Sequence, residues 1–385
     1  MLSLARQYAR SDDDIICSMR LASLRLHNFR NIKDSSFDIG KRLTVFIGDN
    51  AKGKTNCLEA VFFLVHGTGF RESREEELVL FGDKASAYVE GVFEDESGKI
   101  SCKVGLVRYE LGYKKSFFIN KTQKQLRQYR QEPRGVVLFA PEHIEMLTGS
   151  PDKRRSYFNK LISQFDYQYK KNLDTYERSM RRRNKILENF EELKKLQDEI
   201  SYWNEVCTQS AKYVTEVRQK YSDFLNNNQS IDGKKFRIEY LKNEFNQSQI
   251  EKYEELELKT RRTMFGPQKD DFQIYLTQKP HPTSEVKKLH DTSEVIEENV
   301  QKFGSRSEQR LALMWLKLGE IRHFQEVSKF DPILLLDDVF SEFDSSNKEL
   351  ILELVKQYQT VASTTDMEIV NLAKKHKIPS EVIKL

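Results

Sequence analysis

The chain has 385 residues, which is more than one hydrophobic core usually holds, so two domains are expected. Hydrophobic residues make up 38% and charged residues 32% of it, as in a globular protein, and its apolar runs are too short to cross a membrane. The net charge of +4 excludes a uniformly basic DNA coat, so a nucleic-acid surface would need local clusters. Four widely spaced cysteines without a CxxC pair argue against a zinc site and predict a reducing, cytoplasmic environment.

The N-terminal segment is predicted to lie outside the fold. Residues 1–18 lack the apolar core of a secretion signal and contain three consecutive aspartates. The first strand-like pattern begins at Met19. From there to about residue 140 the sequence predicts short alternating strands, with a buried strand at 42–47.

The middle of the chain has a different character. Between Pro151 and Gly233 there is no glycine or proline, and apolar residues recur at helical spacing. One unbroken helix of this length would exceed about 100 Å, so we expect two or three helices of about 20–40 residues each. The sequence therefore predicts a short α-helical arm at 153–233, inserted into a head formed by 19–152 and 234–385.

Strand signals return after the arm. Strands are predicted at 236–241 and 271–276, a helix at 307–327, a strongly apolar strand at 332–337 and a helix at 347–358. The simplest architecture is a head built from both ends of the chain.

One segment matches the phosphate-binding pattern GxxxxGK[ST] in full. It consists of Gly48, Asp49, Asn50, Ala51, Lys52, Gly53, Lys54 and Thr55. A hydrophobic strand precedes it and a helical segment follows from Asn56, which is the context that such a loop requires. Lys54 is predicted to reach the β- and γ-phosphates and the Thr55 hydroxyl to hold Mg²⁺. The alternative is a glycine-rich turn without function.

A pair of carboxylates is predicted to complete this site. The apolar run 333–336 ends in Asp337 and Asp338. We expect Asp337 to anchor Mg²⁺ through water and Asp338 to orient or deprotonate the attacking water. The alternative is that the pair only caps the next helix.

A third element lies about thirty residues before the carboxylates. Ser305, Arg306, Ser307 and Glu308 follow a glycine and open a helix. This placement corresponds to the signature motif of ABC-type ATPases, which caps the γ-phosphate of the opposite subunit. Free N–H groups at a helix start and a serine hydroxyl are suitable donors to an anion, although a plain helix cap remains the alternative. We therefore expect ATP to be sandwiched between two heads.

Two further segments fit the same type of dimer. Residues 341–344 resemble the D-loop at its seam, and Thr364 or Thr365 is the candidate sensor of the γ-phosphate.

Several blocks between Met19 and about Asp366 resemble the RecF family of DNA-repair ATPases. They are 19–21, 28–31, the P-loop with Asn56 and 58–60, 139–142, 149–151 with 154–155, 183–184, 266–267 with 270–271, and 336–342. The resemblance implies an α/β fold, namely an ABC-type ATPase head with a P-loop sheet core, an antiparallel β subdomain and an inserted helical arm. Arg71 resembles a family position near the nucleotide.

The resemblance also implies a role. It implies an ATP-dependent homodimer with weak, DNA-stimulated ATP hydrolysis that binds double-stranded DNA next to single-strand gaps. Together with RecO- and RecR-type mediators it would help to load the RecA recombinase, in the cytoplasm and associated with the nucleoid.

Basic clusters on or beside the arm are candidate DNA contacts. The candidates are Arg154, Arg155, Arg181, Arg182 and Arg183. Each could neutralise a backbone phosphate without reading bases. The alternative is a solvated helix face, since both charge signs are plentiful there.

Other ATPases with these motifs fit the sequence less well. A transporter subunit lacks a helical arm between the motifs. A structural SMC-like protein needs a much longer coiled coil or a CxxC hook, and a nuclease-associated SMC-like ATPase needs a further domain rich in acidic metal ligands. An SMC-like ATPase of another role is the alternative that stays open.

Overall fold

A computed structural model describes residues 19–385 except 72–73, 81, 83–85, 111, 228–229, 279–295 and 343–344. The predicted extension 1–18 lies outside the described residues, as does half of the predicted D-loop. Within the described residues, no helix is long and apolar enough to span a bilayer.

The chain divides into two compact units. The first combines Met1–His143 with Glu320–Leu385, and the second is Ile144–Gly319. This division differs from the predicted head and arm, because the strands between residues 230 and 299 form a sheet of their own and group with the helices before them.

The first unit contains two sheets and the helix between them. Its strands are β1 (Arg20–Phe29), β2 (Ile32–Asp38), β3 (Leu43–Ile47), β4 (Ser86–Asp95), β5 (Gly98–Tyr109), β6 (Gly112–Ile119), β7 (Thr122–Lys124), β8 (Val136–Phe139), β13 (Ile333–Asp337), β14 (Thr360–Thr364) and β15 (Ser380–Lys384). Its helices are α1 (Lys54–His66), α2 (Leu126–Tyr129), α9 (Ser345–Gln357) and α10 (Glu368–Lys375), with the end of α8 (Arg306–Ser328).

The two sheets differ in kind. One is antiparallel, in the order β2-β1-β4-β5-β6-β7, and the other is parallel, in the order β15-β3-β14-β13-β8. Parallel strands are covered on both faces, which is why β3 and β13 are continuous apolar runs. Helix α1 contacts β4 of one sheet and β14 of the other, and its Leu58, Val61 and Leu64 are fully buried between them.

The second unit combines helices with a small antiparallel sheet. Its helices are α3 (Glu145–Thr148), α4 (Pro151–Phe165), α5 (Tyr167–Asn189), α6 (Leu193–Asn226) and α7 (Gln247–Thr260), with the start of α8. Its strands are β9 (Ser230–Ile231), β10 (Lys234–Leu241), β11 (Asp271–Gln278) and β12 (Ile296–Asn299), in the order β12-β11-β10-β9.

The predicted fold-back of the arm into two or three helices is confirmed. The first break falls at Asp166, whose carboxylate accepts the Tyr169 N–H and caps α5. The second falls at 190–192, after which α6 packs along α5. The strands predicted at 236–241 and 332–337 and the helix at 307–327 also form, with ends shifted by two residues or fewer.

Candidate nucleotide site

The P-loop joins β3 to α1. Two of its residues adopt left-handed backbone conformations, Ala51 with φ 67° and Gly53 with φ 97°. A Cβ atom on Gly53 would lie 2.9 Å from the Oδ1 atom of Asn31. Glycine is therefore required at position 53 both by its backbone conformation and by this close approach.

The predicted lysine lies across this loop. Lys54 is buried, and its Nζ donates to the carbonyl oxygens of Gly48 (2.8 Å) and Asp49 (2.9 Å). Two of the three ammonium donors are thus used to hold the loop. The third is available to an anion that enters it.

The structure brings the predicted carboxylate to the P-loop. Thr55 Oγ1 donates to Asp337 Oδ1 at 2.8 Å, and Ser363 Oγ donates to the same oxygen at 2.6 Å. Ser363 reaches this position because β14 lies between β3 and β13. The sequence analysis assigned no role to Ser363, although it placed the strand that carries it.

Asp338 occupies a sharp turn at the end of β13. Its φ is 50°, a left-handed conformation that aspartate tolerates better than most residues. Its backbone N–H donates to the Ser363 carbonyl at 3.0 Å and to the Ser363 hydroxyl at 3.2 Å. The turn therefore fixes the position of Asp338 relative to Asp337.

A buried carboxylate that the sequence analysis missed connects Arg71 to the site. Glu59 on α1 is fully buried and accepts hydrogen bonds from Arg30 (2.8 and 2.9 Å) and from the Arg71 guanidinium (2.9 Å). The backbone N–H of Arg71 also donates to it at 3.2 Å. A buried charge needs such partners, so Glu59 fixes both arginines.

Arg71 continues this network toward the P-loop. Its guanidinium donates to Asn56 Oδ1 at 2.5 Å, and the Asn56 amide donates to Asn31 Oδ1 at 2.7 Å. Asn31 in turn donates to the carbonyl of Ala51 at 3.2 Å. The predicted residues Asn56 and Arg71 therefore act together on the backbone of the loop, through an asparagine in the β1–β2 turn.

The predicted signature segment lies in the second unit. The Ser305 backbone N–H donates to Glu308 Oε2 at 2.9 Å, and the Glu308 N–H donates back to Ser305 Oγ at 3.3 Å. This is the reciprocal capping box of a helix start. The Ser305 hydroxyl also donates to Glu308 Oε2, at 2.8 Å. Partial burial opposes ionisation of Glu308, but hydrogen bonds from Ser305 and Lys234 outweigh it and lower the pKa. Ser305, Arg306 and Ser307 are exposed.

Two of the candidate DNA contacts are structural residues. Arg154 is buried and pairs with Asp271 (2.6 and 3.0 Å), and Arg183 is buried and pairs with Glu257 (2.6 Å). These ion pairs give Arg154 and Arg183 a structural role, and their burial argues against the predicted DNA contacts.

The other three candidates differ in exposure. Arg155 is mostly buried and bonds to the Asp270 carbonyl and to Asp152. Only Arg181 and Arg182 of this set are exposed.

The blocks 266–267 and 270–271, which resemble the RecF family, have a structural role. The buried Arg218 pairs with Asp270, donates to the Pro267 carbonyl at 2.9 Å and to Asn159 at 2.8 Å. This network ties α4 and α6 to the loop before β11. No charge pattern in the sequence indicates it, because Arg218 and Asp270 are 52 residues apart.

The comparisons with known proteins agree with this geometry. The family model described as "AAA ATPase domain" matches residues 19–378. The chain belongs to the AAA ATPase domain family. Among curated proteins it is 27% identical to the DNA replication and repair protein RecF of Natranaerobius thermophilus, over 95% of this chain and 96% of that protein. RecF of Acetivibrio thermocellus is 29% identical, over 91% of this chain and 94% of that protein.

Solved structures give the same result. The recombination mediator protein RecF-ATP of the RecFOR pathway superposes with a TM-score of 0.76 at 27% identity, covering 93% of this chain and 95% of that chain. RecF-ATPrS of the same pathway has a TM-score of 0.78 at 26% identity, covering 96% of each. The resemblance to the RecF family and the ABC-type ATPase head are therefore confirmed. These relationships place the chain among ATP-binding ATPases of DNA replication and repair.

Proposed function

We propose that this chain is an ATP-dependent DNA-binding protein of recombinational repair. It dimerises when ATP is bound, holds double-stranded DNA next to single-strand gaps, and helps RecO- and RecR-type mediators to load a RecA-type recombinase. The supporting observation is the hydrogen-bonded group of Thr55, Asp337 and Ser363 beneath an intact P-loop. The family relationship supports the DNA role.

The residues of one protomer bind and orient the triphosphate. The backbone N–H groups of the P-loop and the start of α1 face the phosphates, and Lys54 contributes its remaining donor. Asp338 lies one residue beyond the strand end, fixed by Ser363, and orients or deprotonates the attacking water. Hydrolysis is weak and DNA-stimulated in this proposal, serving a cycle of binding and release.

The site has the donor set that Mg²⁺ requires. The Thr55 hydroxyl and the Asp337 carboxylate are hard oxygen ligands, and their oxygens lie 2.8 Å apart. Thr55 would bind the ion directly and Asp337 through water. When bound, Mg²⁺ neutralises charge on the β- and γ-phosphates.

A second protomer completes the site. The segment of Ser305, Arg306, Ser307 and Glu308 faces the γ-phosphate bound to the partner, and the exposed start of α8 offers N–H donors for this purpose. Ser305, Arg306 and Ser307 contact the phosphate, and the Glu308 carboxylate, itself an anion, positions Ser305. The Ser305 hydroxyl, which now donates to Glu308, would donate to the phosphate instead. ATP thereby links two heads, and its hydrolysis releases them.

The alternative is an SMC-like ATPase of another role, nuclease-associated or structural. The longest helix of the arm region has 34 residues, which is about 50 Å. An arm of this length is too short for a structural chromosome protein. The repair role is therefore preferred.

The test measures self-association and DNA binding together. Light scattering and retention of a gapped duplex are recorded with ATP, with ADP and without nucleotide, for wild type, Lys54→Arg, Asp338→Asn and Ser305→Arg. We expect ATP to drive dimerisation and DNA retention in wild type. Lys54→Arg should weaken ATP binding, and Asp338→Asn should trap the dimer.

Ser305→Arg separates the two steps of the cycle. It should block dimerisation while the monomer still binds ATP, whereas the matched control Ser201→Arg adds the same side chain to an exposed position of α6 and should behave as wild type. A wild-type protein that stays monomeric with both ATP and DNA would contradict the sandwich mechanism. A protein that dimerises but never retains DNA would contradict the repair role.

A further inference from the structure

Positive charge is concentrated in one part of the first unit. Residues 98–130 contain nine lysines and arginines and a single acidic residue, Glu110, a net charge of +8. The whole chain has a net charge of only +4, so the rest of it is acidic on balance. This segment forms β5, β6 and β7, which are one side of the antiparallel sheet, and the short helix α2 that follows them. We call this side the basic edge.

Three cations of the basic edge are exposed and have no acidic partner. Within the described residues, the side chains of Arg108, Lys114 and Lys121 form no hydrogen bond or ion pair. By contrast, Lys99 pairs with Glu94 at 3.1 Å and Lys115 with Glu75 at 3.2 Å. Exposed like charges repel one another. A group of unpaired cations is therefore a surface that an external polyanion would stabilise.

The strands that carry these cations are anchored in the core of the first unit. On the inner side of β5, Cys102, Val104 and Leu106 are buried in the core of the unit. On the outer side, Lys103 lies with its Nζ 3.8 Å from the centre of the Tyr88 ring. Cross-strand pairing places Val107 opposite Lys114, on this outer side, because alternate residues of a strand face opposite ways. By the same alternation Arg108, at the exposed end of β5, lies on the other side, so Arg108 and Lys114 offer one cation on each side of the hairpin end.

The spacing of the cations suits a nucleic-acid backbone. Arg108 and Lys114 flank the β5–β6 turn, and Lys121 lies in the β6–β7 turn at the other end of β6. At about 3.3 Å per residue, Lys114 and Lys121 are separated by roughly 20 Å along the strand. B-DNA carries one phosphate charge per about 1.7 Å of its axis when both strands are counted, so a span of this length passes several phosphates of the duplex. Cations at both ends of β6 can therefore contact different phosphates of the same duplex.

We propose that the basic edge is the surface that holds the backbone of double-stranded DNA. Arg108, Lys114 and Lys121 each contact a phosphate, and contacts of this kind position the duplex without reading its sequence. The proposal rests on the DNA-binding function proposed above and names the surface that performs it. It moves the main contact from the arm, where only Arg181 and Arg182 of the predicted residues are exposed, to the antiparallel sheet.

The test removes the three charges and follows the salt dependence of binding. Anisotropy of a fluorescein-labelled gapped duplex is titrated with the full chain and ATP, over a series of KCl concentrations, for wild type and for the triple variant Arg108→Gln, Lys114→Gln, Lys121→Gln. Each phosphate contact contributes about 0.9 to the slope of log K against log salt, so the slope should become less steep by about 2.7. Affinity at low salt should fall about 100-fold.

A matched triple variant controls for net charge. It carries Lys41→Gln, Lys374→Gln and Lys375→Gln, which are exposed positions of the same unit without an ion pair among the described residues. It should retain the wild-type slope and affinity. Light scattering should show ATP-dependent dimers for both triple variants, because none of the six positions lies in the nucleotide site.

The outcomes distinguish this surface from the proposed function. If wild type itself does not bind the duplex with ATP, the proposed function fails. If wild type binds and the basic-edge variant binds with the same slope, the surface is wrong and the function stands. The surface is also wrong if Arg181→Gln with Arg182→Gln alone abolishes binding, or if the control triple loses as much affinity as the basic-edge triple.

Discussion

Replacing Glu59 with alanine should destabilise the first unit and weaken its nucleotide site. The side chain is fully buried, and removing it leaves Arg30 and Arg71 without their carboxylate. Breaking a buried ion pair by deleting one partner costs about 3–5 kcal/mol. The value here should lie near the lower end, at about 3 kcal/mol, because Arg71 is 37% exposed and water can solvate it.

The expected shift in melting temperature follows from this value. For a unit of this size, 1 kcal/mol corresponds to about 2–4 °C, so Glu59→Ala should lower the transition by about 6–12 °C. Glu59→Gln keeps one acceptor oxygen and the shape of the side chain, and should lose about half as much. Arg71→Ala should lower it by about 2 °C or less, because the carboxylate keeps its two bonds to Arg30.

Differential scanning calorimetry of the full chain measures these shifts, and fluorescent ATP analogues measure nucleotide affinity on the same samples. Both Glu59→Ala and Arg71→Ala should loosen or remove the hydrogen bond between Arg71 and Asn56. Both should therefore weaken nucleotide binding, although only Glu59→Ala should strongly lower the melting temperature. A Glu59→Ala protein that melts within about 1 °C of wild type would refute the electrostatic argument. Unchanged nucleotide affinity in both variants would refute the connection from Arg71 to the P-loop.

Three further predictions concern other buried or constrained residues. Burial, together with nearby arginines, lowers the pKa of His66 to about 3. Since the unfolded imidazole titrates near 6.5, His66 should make stability in urea fall by about 1.4 kcal/mol per pH unit as pH drops from about 6.5 towards 3, and His66→Gln should remove this contribution, leaving the smaller one of His323, whose pKa burial also lowers. Gly53→Ala should lower the melting temperature and abolish ATP binding, because its backbone φ of 97° disfavours a side chain; normal ATP affinity would contradict this. Arg183→Met leaves Glu257 as an unpaired buried charge and should cost about 3–5 kcal/mol of unfolding free energy, whereas the exposed control Arg182→Met should cost under about 0.5 kcal/mol. Equal denaturation midpoints for those two variants would show that the buried pair does not stabilise the unit.

The nucleotide site was predictable because its signals are local. A phosphate-binding loop needs glycines, a lysine and a hydroxyl within eight positions, between a strand and a helix. The apolar run before Asp337 likewise reports burial on both faces of a parallel strand. The P-loop and the buried strand are both imposed by backbone geometry. Each can be recognised from residues that are close together in the sequence.

The roles of the arginines were not predictable in the same way. Arg154 pairs with a carboxylate 117 positions away and Arg183 with one 74 positions away. The local sequence around an arginine shows its charge but not the distant carboxylate that neutralises it. Buried and exposed arginines therefore cannot be told apart from the sequence. The network around Glu59 was missed for the related reason that an acidic residue on a helix gives no sign that the fold encloses it.

The domain boundary was also set by long-range contacts. The predicted head extended from residue 234, because strand patterns return there after the helical arm. In the structure those strands pair with one another and pack on α6. Alternation shows that a strand exists but not which sheet it joins.

The strand order of the parallel sheet also has a consequence for synthesis of the protein. The P-loop strand β3 is flanked by β14 and β15, and Thr55 meets Asp337 across 282 residues. At translation rates of about 5–20 residues per second, β3 emerges from the ribosome roughly 15–60 s before its partners exist. During that interval an apolar strand with unpaired edges is open to wrong pairing. ATP binding is therefore among the last properties that a newly made chain acquires.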